Sequence, residues 1–493
     1  MPLDQDGGGV SGASVIDGGL ADRNGLYSEE DKRAIAGLLD RIGADGIEVI
    51  RLSFADQHGV LRGKSITARA LVSAFRSGMT MTSTLLLKDT SHRTVFPVWD
   101  GGPGIGDGKL DGAGDLLIFP DPGTFRVLPW AESTGWLLCD VRYADGSPCP
   151  FCTRTQLAAA VGALAADGKA AVFGLEVEFH IHRMIDPRLG HEDAGMPGAP
   201  PLTEMTGHGY QYLTEARIEP LDQALNAIRT ASEALGIKVR SMEVEFGPSQ
   251  VEMTFDPGDP VSQADAMVLF RAAAKETCRR LGLHATFMCR PAFPAAVPSG
   301  WHIHQSLFDA ASGVNLFLNE GEALAPAAAG WIAGLLDHAP AACLLTNPTV
   351  NAYKRFQPGM LAPDRIQWAR DNKGAMVRSL IRPGDPASRI ENRVAEPAAN
   401  PYLAFAAQIR AGQDGLSRAL TPPPPARDPY QCDAPRLPAD LGAAIDAFEA
   451  SALWADTLGA DVVEWLATLK RAEWRRYLSH VSDWEQAEYY RAF

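Results

Sequence analysis

Charged side chains recur two residues apart within apolar, β-prone segments, and this pattern constrains the fold of the chain more than any other feature. The pairs are Glu176 with Glu178 in GLEVEF, His302 with His304 in SGWHIHQSL, and Glu391 with Arg393 in RIENRVAEP. Because alternate side chains of a β-strand point to the same face, each pair is predicted to face one cavity. The apolar flanks favour burial of these strands, which argues against a solvent-facing position.

Two further carboxylates, Glu245 and Glu252, lie in the segment EFGPSQVE. Buried carboxylates repel one another unless cations hold them. Ligand sets that are rich in oxygen and contain an imidazole suit Mg²⁺ or Mn²⁺, whereas Zn²⁺ prefers His and Cys. The pattern therefore predicts a site that binds several divalent metal ions and an anion.

Six strings between residues 174 and 412 resemble the glutamine synthetase family and follow the family's order. They are GLEVEF, ATFMCRP, SGWHIHQSL, NPTVNAYKRFQPG, NKGAMVR and RIENRVAEPAANPYLAFAAQIRAG. The resemblance implies an α+β fold with an N-terminal β-grasp domain and a catalytic α/β domain whose antiparallel strands form an open funnel. It also implies a homo-oligomer, commonly a dodecamer of two stacked rings with active sites at subunit interfaces.

The 493-residue chain is expected to consist of a flexible tail (1–27), a β-grasp-like domain (28–145) and a catalytic domain (146–493). SEEDKRAIAGLLDRIG predicts a helix and IEVIRLSFAD a strand. The stretch between Asp89 and Pro129, rich in Gly, Pro and Asp, predicts a long loop. Beyond Phe151, the pattern alternates between helices and strands.

The composition argues against two classes of binding partner. A net charge of −15 without a basic cluster argues against partners such as nucleic acid or anionic membranes. No run of 18 apolar residues and no targeting leader is found, so a cytoplasmic protein is expected.

The seven cysteines are an odd number and are expected to be free thiols. Cys149 and Cys152 form a C-x-x-C. Thr153 and Gln156 fit a capping box that would place Cys152 just before a helix, where a thiol pKa can be lowered. The sequence contains no second cysteine pair to support a zinc site, and a loop leading into the helix explains the string better than a redox role.

The family resemblance implies roles for the acidic and imidazole residues. One metal ion is expected on Glu178, Glu245 and Glu252, and a second on Glu176, His302 and Glu391. Two or three Mg²⁺ or Mn²⁺ ions per site would neutralise phosphoryl charge while ATP converts glutamate to an acyl phosphate, which an amine then attacks.

The resemblance also implies roles for the cationic residues. Arg355 and Arg393 resemble the pair that grips the α-carboxylate and the transferring group, since a planar guanidinium binds bidentately. Arg378 and Arg389 resemble the nucleotide and phosphate arginines, and His304 and Ser306 are expected near the nucleotide. Lys373 stands where the family has a phosphate-contacting arginine, so the charge is kept but the fork geometry is lost.

Departures from the family pattern fall on the ammonium site and the glutamate-binding loop. Leu361 in QPGMLAP replaces a Glu of the ammonia-using members, and GMTMTSTLLLKDTSH replaces the FDGSS-like string that supplies an Asp. Both carboxylates that bind ammonium are therefore missing. Val297 and Pro298 replace an Asn-Gly before the His motif, and Pro298 has no N–H to donate.

These departures favour a hydrophobic amine as the acceptor, in contact with Leu361 and Met360. An arylamine is largely neutral at pH 7 and needs no base before it attacks, whereas an alkylammonium ion does. The chain thus resembles the γ-glutamylanilide, γ-glutamylisopropylamide and γ-glutamylpolyamine synthetases, with an aryl amine favoured over an alkyl amine. Authentic glutamine synthetase, a polyamine ligase with Asp364 near the second ammonium, and a non-catalytic relative are the alternatives.

Replacing Leu361 with Glu is expected to shift acceptor preference towards ammonia, because a carboxylate would again offset the cost of desolvating ammonium. Phosphate release with ammonia and with aniline, measured at matched concentrations, checks this. An unchanged ratio between the two amines would refute the role assigned to this position.

Overall fold

The computed structural model describes residues 15–321, 323–357 and 362–493. Its strands are β1 Val49–Ala55, β2 Leu61–Thr67, β3 Met79–Thr82, β4 Asp115–Pro120, β5 Arg126–Val127, β6 Thr134–Tyr143, β7 Lys169–Asp186, β8 Leu202–Met205, β9 Val239–Val244, β10 Gln250–Phe255, β11 Leu283–Thr286, β12 Trp301–Asp309, β13 Trp368–Arg370, β14 Val377–Leu380 and β15 Arg389–Asn392. Its α-helices are Leu20–Arg23, Glu29–Ala44, Leu71–Ser77, Thr153–Ala166, Asp222–Ala234, Pro260–Arg280, Pro326–Asp337, Ala339–Thr346, Pro401–Ser417, Leu441–Glu449, Ala452–Leu458, Ala460–Leu478 and Asp483–Tyr489.

The first sheet has the order β2-β1-β6-β4-β3, with β5 pairing to β6. Strands β1 and β6 are parallel, and the remaining pairs are antiparallel. The turn DQHG joins β1 to β2, and it is closed by the Asp56 carboxylate, which accepts from the backbone N–H groups of His58 at 2.9 Å and Val60 at 3.0 Å. A short polar side chain that caps its own turn in this way sets the hairpin register.

The predicted helix near residue 28 is confirmed, and it begins with a capping box between Ser28 and Asp31. The predicted loop from Asp89 to Pro129 is wrong in its second half. There DLLIFP forms β4, and this strand is buried along nearly its whole length between β3 and β6. The Gly and Asp residues before DLLIFP made the whole stretch resemble a loop, although this short apolar run forms the strand.

The second sheet has the order β13-β14-β15-β12-β7-β10-β9, with β8 and β11 also pairing to β7. All of its pairs are antiparallel except β13 with β14. β7 is 18 residues long and contacts four other strands. This strand carries GLEVEF, so the first charged pair lies in the middle of the sheet.

Helices cover the second sheet and join it to the first through a continuous core of buried apolar side chains. The helix Pro401–Ser417 is buried along most of its length and packs against the helices Pro326–Asp337 and Thr153–Ala166. Within the described residues, every individual helix is too short or too polar to cross a bilayer. The apolar helices Pro326–Asp337 and Ala339–Thr346 reach the required length only together, with a 76° bend between them.

All seven cysteines are free, as predicted. Cys152 does precede a helix, but the predicted capping box is absent because Thr153 is already the first helical residue and Cys152 makes no side-chain cap. Burial raises the pKa of Cys152 and also raises that of Cys149, to about 12. Both thiols are therefore protonated core residues.

Arg154 ties the two sheets together. Its guanidinium contacts Asp121 at 2.7 Å and Asp140 at 3.1 Å, both next to or in the first sheet, and Asp265 of the helix Pro260–Arg280 at 2.9 Å. Tyr402 donates its O–H to Asp265 at 2.7 Å and extends the network into the helix Pro401–Ser417. One mostly buried cation thus holds carboxylates from three parts of the chain.

Replacing Arg154 with Met is expected to lower the free energy of unfolding by about 3 kcal/mol, because three carboxylates lose their shared counter-charge in a poorly hydrated place. Denaturant unfolding at fixed protein concentration checks this. Arg279→Met is the control, since Arg279 pairs with Glu276 at an exposed site and its removal should leave stability unchanged. Equal effects of the two variants would contradict the role of the network.

Candidate active site

The strand register brings the acidic and imidazole residues onto one face of the second sheet. His302 lies opposite Glu176, and Glu252 lies opposite Glu178. On the other side of β12, His304 lies opposite Glu391. Because directly paired residues share a face, four strands converge on a single cluster.

Glu176 is at the centre of this cluster. Its two carboxylate oxygens lie 3.0 Å from Nδ1 of His302 and 2.8 Å from Nε2 of His304. Arg389 donates from Nε to Nδ1 of His304 at 3.1 Å, which leaves Nε2 of His304 as the donor to Glu176. Glu176, His302 and the fully buried Glu391 present ligand atoms within 4.8 Å of one another.

A second group consists of Glu178, Glu252 and His302, whose ligand atoms also lie within 4.8 Å of one another. His302 therefore borders both groups, and its Nε2 lies 3.6 Å from Oε1 of Glu178. Among the described residues, no hydrogen bond or ion pair reaches the Glu252 carboxylate. Glu245, expected in this set, stands just beyond β9 and is not one of the three grouped residues; its carboxylate accepts from the N–H of Phe246 at 3.0 Å.

The pKa values divide the carboxylates into two kinds. Burial, followed by the charge of Glu245, raises the pKa of Glu178 to about 7; burial and the charge of Glu178 raise that of Glu252 to about 10. Burial would raise the pKa of Glu176 as well, but the hydrogen bonds from the two histidines bring it well below its ordinary value. Crowded acids that lack a cation hold protons instead, and such a donor set fits divalent ions.

Two arginines surround Glu391. Arg378 lies opposite it across β14 and β15 and donates to it at 3.0 Å, while Arg393 donates to its other oxygen. Arg378 also donates from Nε to Asp371 at 3.0 Å. The Nε of Arg393 is buried and, within the described chain, has no hydrogen-bond partner. Arg393 therefore keeps one donor for a ligand.

Arg355 is buried and held by three carbonyl groups. It donates to the carbonyls of Arg393 at 3.0 Å, Val394 at 2.9 Å and Ala395 at 3.2 Å. No carboxylate of the described residues lies within ion-pair distance of it. A Cβ on Gly300 would come within 2.4 Å of its Nη2, so the absence of a side chain there lets the guanidinium lie against the loop. The result is a fixed buried cation that has no anionic partner in the described part of the chain.

A cavity of about 680 Å³ opens beside Glu176. His304, Ser306 and Arg389 line it, together with apolar side chains that include Phe255 and Phe308. Ser306 donates to the carbonyl of Ser388 at 3.0 Å. Three of the four expected nucleotide residues thus share one cavity, whereas Arg378 lies outside its lining and contacts Asp371 and Glu391. Lys373 is exposed and lowers the pKa of Glu245 through its charge, although burial keeps that pKa raised.

Met360 and Leu361, expected to contact the amine, lie outside the described residues. Sequence reasoning also missed two side chains at the cluster. Burial and then the charges of four carboxylates, of which Glu245 contributes most, raise the pKa of Tyr212 to about 12. Gln250 donates to Glu178 at 3.1 Å, and its position two residues before Glu252 was a usable signal. Nothing in the segment around Tyr212 pointed to the site.

The sequence matches the family model of the glutamine synthetase catalytic domain over residues 150–489. It is 40% identical to a γ-glutamylanilide synthase of Acinetobacter sp, covering 95% of this chain and 98% of the relative. It is 31% identical to a glutamine synthetase of Methanosarcina mazei, with 92% and 96% covered. It is also 31% identical to the γ-glutamylethanolamide synthetase GlnA4 of Streptomyces coelicolor, with 94% and 96% covered.

The fold has solved counterparts. The structure of apo GmaS without ligand superimposes with a TM-score of 0.76 at 30% identity, covering 92% of this chain and 99% of that one. The predicted α+β fold of the glutamine synthetase type is confirmed. Proteins of this family use ATP and divalent metal ions, act on small molecules and are generally oligomeric. By sequence and by fold, this chain belongs to the glutamine synthetase family and is an ATP-dependent carbon–nitrogen ligase.

Proposed function

We propose that this ligase joins L-glutamate to a hydrophobic primary amine, with an arylamine such as aniline preferred, through a γ-glutamyl phosphate. The products are a γ-glutamyl amide, ADP and phosphate. The observation that carries the proposal is an aromatic wall beside the carboxylate cluster, in a chain that has lost the acidic residues expected to hold ammonium. Similarity to the γ-glutamylanilide synthase of Acinetobacter sp supports it.

The aromatic wall consists of Tyr210 and Phe246, and we assign Tyr212 to it because its segment runs beside Glu245: the N–H groups of Tyr210 and Leu213 donate to the carbonyls of Phe246 at 2.7 Å and Val244 at 3.4 Å. Tyr210 and Phe246 pack edge to face with ring centroids 5.0 Å apart, and Tyr210 donates its O–H to the carbonyl of Ala295 at 3.0 Å. About half of each tyrosine side chain is exposed. Rigid aromatic faces left open beside a reaction centre suit a flat apolar amine, and each ring pair contributes about 1 kcal/mol.

The carboxylates and His302 are the proposed metal ligands. Glu176, His302 and Glu391 would hold one divalent ion, and Glu178 with Glu252 a second, with Glu245 close enough to add its charge. The ions, Mg²⁺ or Mn²⁺, would neutralise the phosphoryl group in transfer. The raised pKa values of Glu178 and Glu252 support this assignment, because a bound ion would replace the protons that these carboxylates take up.

Buried arginines supply the proposed anion sites. Arg355 has a fixed guanidinium and no carboxylate partner among the described residues, which is costly unless an anionic substrate completes the pair. Arg393 lies nearby, and its Nε has no hydrogen-bond partner in the described part of the chain. We assign these two residues to the α-carboxylate and the transferring group, with Arg378 and Lys373 as further catalytic cations. Arg389, His304 and Ser306 would line the nucleotide cavity.

Polyamine ligation loses support from the structure around Asp364. The carboxylate that would receive the second ammonium already pairs with Arg436 at 3.0 Å. Authentic glutamine synthetase activity remains the main competing proposal, since the M. mazei relative carries that name.

The wider organisation is proposed on the same basis. The first sheet ends at Tyr143 and the second begins at Lys169, which supports a boundary near residue 145. We propose assembly into stacked rings, and the exposed apolar side chains of Trp484, Tyr490 and Phe493 at the carboxyl end support a subunit interface there.

The acceptor is tested by phosphate release with glutamate, ATP and a panel of aniline, isopropylamine, ethanolamine, putrescine and ammonia. Aniline is expected to give the highest kcat/KM and ammonia the lowest. The variant Tyr212→Ala should lower kcat/KM for aniline about tenfold, since it removes one face of the wall, while isopropylamine loses less.

The ratio of aniline to isopropylamine within one variant is an internal control, because a general loss of activity lowers both values. Highest turnover with ammonia would refute the proposed acceptor. An unchanged ratio in Tyr212→Ala would refute the role of the wall.

Metal binding is expected to stabilise the protein more as the pH rises from 7 to 9. Glu252, with a folded pKa of about 10 against about 4.5 when unfolded, keeps a proton that the unfolded chain has released. The metal-free protein therefore loses stability with rising pH, on the order of 1 kcal/mol per pH unit. A divalent ion replaces the proton and cancels this loss.

The increase in melting temperature on adding Mg²⁺, measured at pH 7, 8 and 9, checks this expectation. Glu252→Gln is the matched variant, and without metal it should show a flatter pH dependence than the native protein. A metal effect that shrinks with rising pH would contradict the assignment of Glu252.

A further inference from the structure

Gln250 is a deeply buried polar side chain next to the carboxylate cluster, and the proposed chemistry does not use it. It is 1% exposed, and it begins β10 directly opposite His180 of β7. Its amide nitrogen lies 3.1 Å from Oε2 of Glu178, 3.0 Å from Oγ of Ser299 and 3.4 Å from the carbonyl of Pro298. One amide group thus joins a strand carboxylate to the loop before β12.

The orientation of this amide is determined by its other end. Oε1 of Gln250 accepts from the backbone N–H of Gly247 at 2.9 Å, so the NH₂ group must face Glu178 and Ser299. Ser299 accepts one of the two hydrogens, and its Oγ lies 3.3 Å from Nδ1 of His180. Gln250, Ser299 and a buried imidazole are thus linked by hydrogen bonds.

The consequence for Glu178 is that its two oxygens have different roles. Oε2 accepts from the N–H of Gly300 at 2.9 Å as well as from Gln250. Oε1 has no such donor among the described residues and lies 3.6 Å from Nε2 of His302, on the side of Glu252. Occupying one oxygen fixes the rotation of the carboxylate and leaves the other towards the cluster.

The same glutamine stabilises a loop whose sequence departs from the family. Pro298 cannot donate a backbone hydrogen bond, so this part of the loop needs other anchors. On one side, the backbone carbonyl of Cys289 accepts from the N–H of Ser299 at 2.7 Å. On the other side, Gln250 contacts Pro298 and Ser299. The loop carrying Gly300, whose N–H also binds Glu178, is therefore held by Gln250.

We propose that Gln250 is a positioning residue that orients Glu178 for divalent metal binding, directly through its amide and indirectly through the Ser299 loop. The inference rests on the proposed metal site. It is independent of which amine the enzyme uses, because it concerns only how a ligand carboxylate is presented.

The test measures Mn²⁺ affinity of the metal-free protein by electron paramagnetic resonance, without substrates. Gln250→Met keeps the length of the side chain and removes its donors, and it is expected to weaken the affected site about 10- to 100-fold, as is usual for partners of metal ligands. Ser299→Ala keeps the bond between Gln250 and Glu178, and is expected to weaken binding less than about threefold.

Gln57→Met is the matched control. Gln57 is 4% exposed and donates to the carbonyls of Leu85 and Lys88, next to the first sheet, so it reports the cost of removing a buried amide elsewhere. Melting temperatures of the metal-free variants should fall by similar amounts, while only Gln250→Met loses Mn²⁺ affinity. If Gln250→Met does not fold, Gln250→Asn, too short to reach Glu178, should show the same loss.

Native Mn²⁺ affinity in a folded Gln250 variant would overturn the proposal, as would an equal loss in Gln57→Met. A native protein that binds no Mn²⁺ would overturn it together with the metal site. If the native protein binds Mn²⁺, Gln250→Met does not, and ammonia is the best substrate, the positioning role stands and only the proposed acceptor fails.

Discussion

Repulsion among carboxylates on adjacent antiparallel strands is the constraint on which this structure depends. Glu176, Glu178, Glu252 and Glu391 share one face of a sheet, and hydrophobic burial of the strands on the other face prevents them from separating. The protein offsets this repulsion in two ways. Histidines and arginines pair with Glu176 and Glu391, whereas burial and mutual repulsion raise the pKa of Glu178 to about 7 and that of Glu252 to about 10, so Glu252 holds a proton that a cation can replace.

The site therefore has one half in which protein cations already neutralise the carboxylate, and another half in which the carboxylates have raised pKa values. Around Glu391, two guanidinium groups already supply positive charge, so the carboxylate is ionised and oriented before any ligand arrives. Around Glu252, no protein cation is present among the described residues. Arg355, in contrast, is a buried cation that no carboxylate of residues 15–321, 323–357 and 362–493 pairs with. Metal ions would neutralise the excess carboxylates, and an anionic substrate would pair with Arg355. Together they would offset the free-energy cost of burying these charged groups.

The proposed amine-binding side of the site differs from the metal-binding side in the polarity of its side chains. Under the proposed function, apolar and aromatic side chains stand where the ammonia-using members are expected to have carboxylates, so ammonium would lose its counter-charges and an apolar amine would gain contact area. Departures from the family pattern also fall on the glutamate-binding loop, at Val297 and Pro298, and on Lys373. On this proposal, a change of amine selectivity would leave the carboxylate cluster itself unchanged.

The sequence by itself determined the parts of this protein that depend on local spacing. A period of two within apolar strings predicted that Glu176, Glu178, His302 and His304 face one cavity, since strand geometry leaves no other arrangement. The family motifs identified the fold and the class of reaction because they are short, occur in the family's order along the chain and are chemically specific.

Only the tertiary structure decided which atoms meet. Strand register placed His302 beside both carboxylate groups and left Glu245 at the margin, and no local pattern carries register between distant strands. The burial of β4 within a Gly-rich stretch, the cross-sheet role of Arg154, and the approach of Tyr212 and Gln250 to the acids likewise arise from long-range packing. Spacing along the chain specifies the face of a strand, whereas the partner across the cavity is set by how the whole sheet assembles.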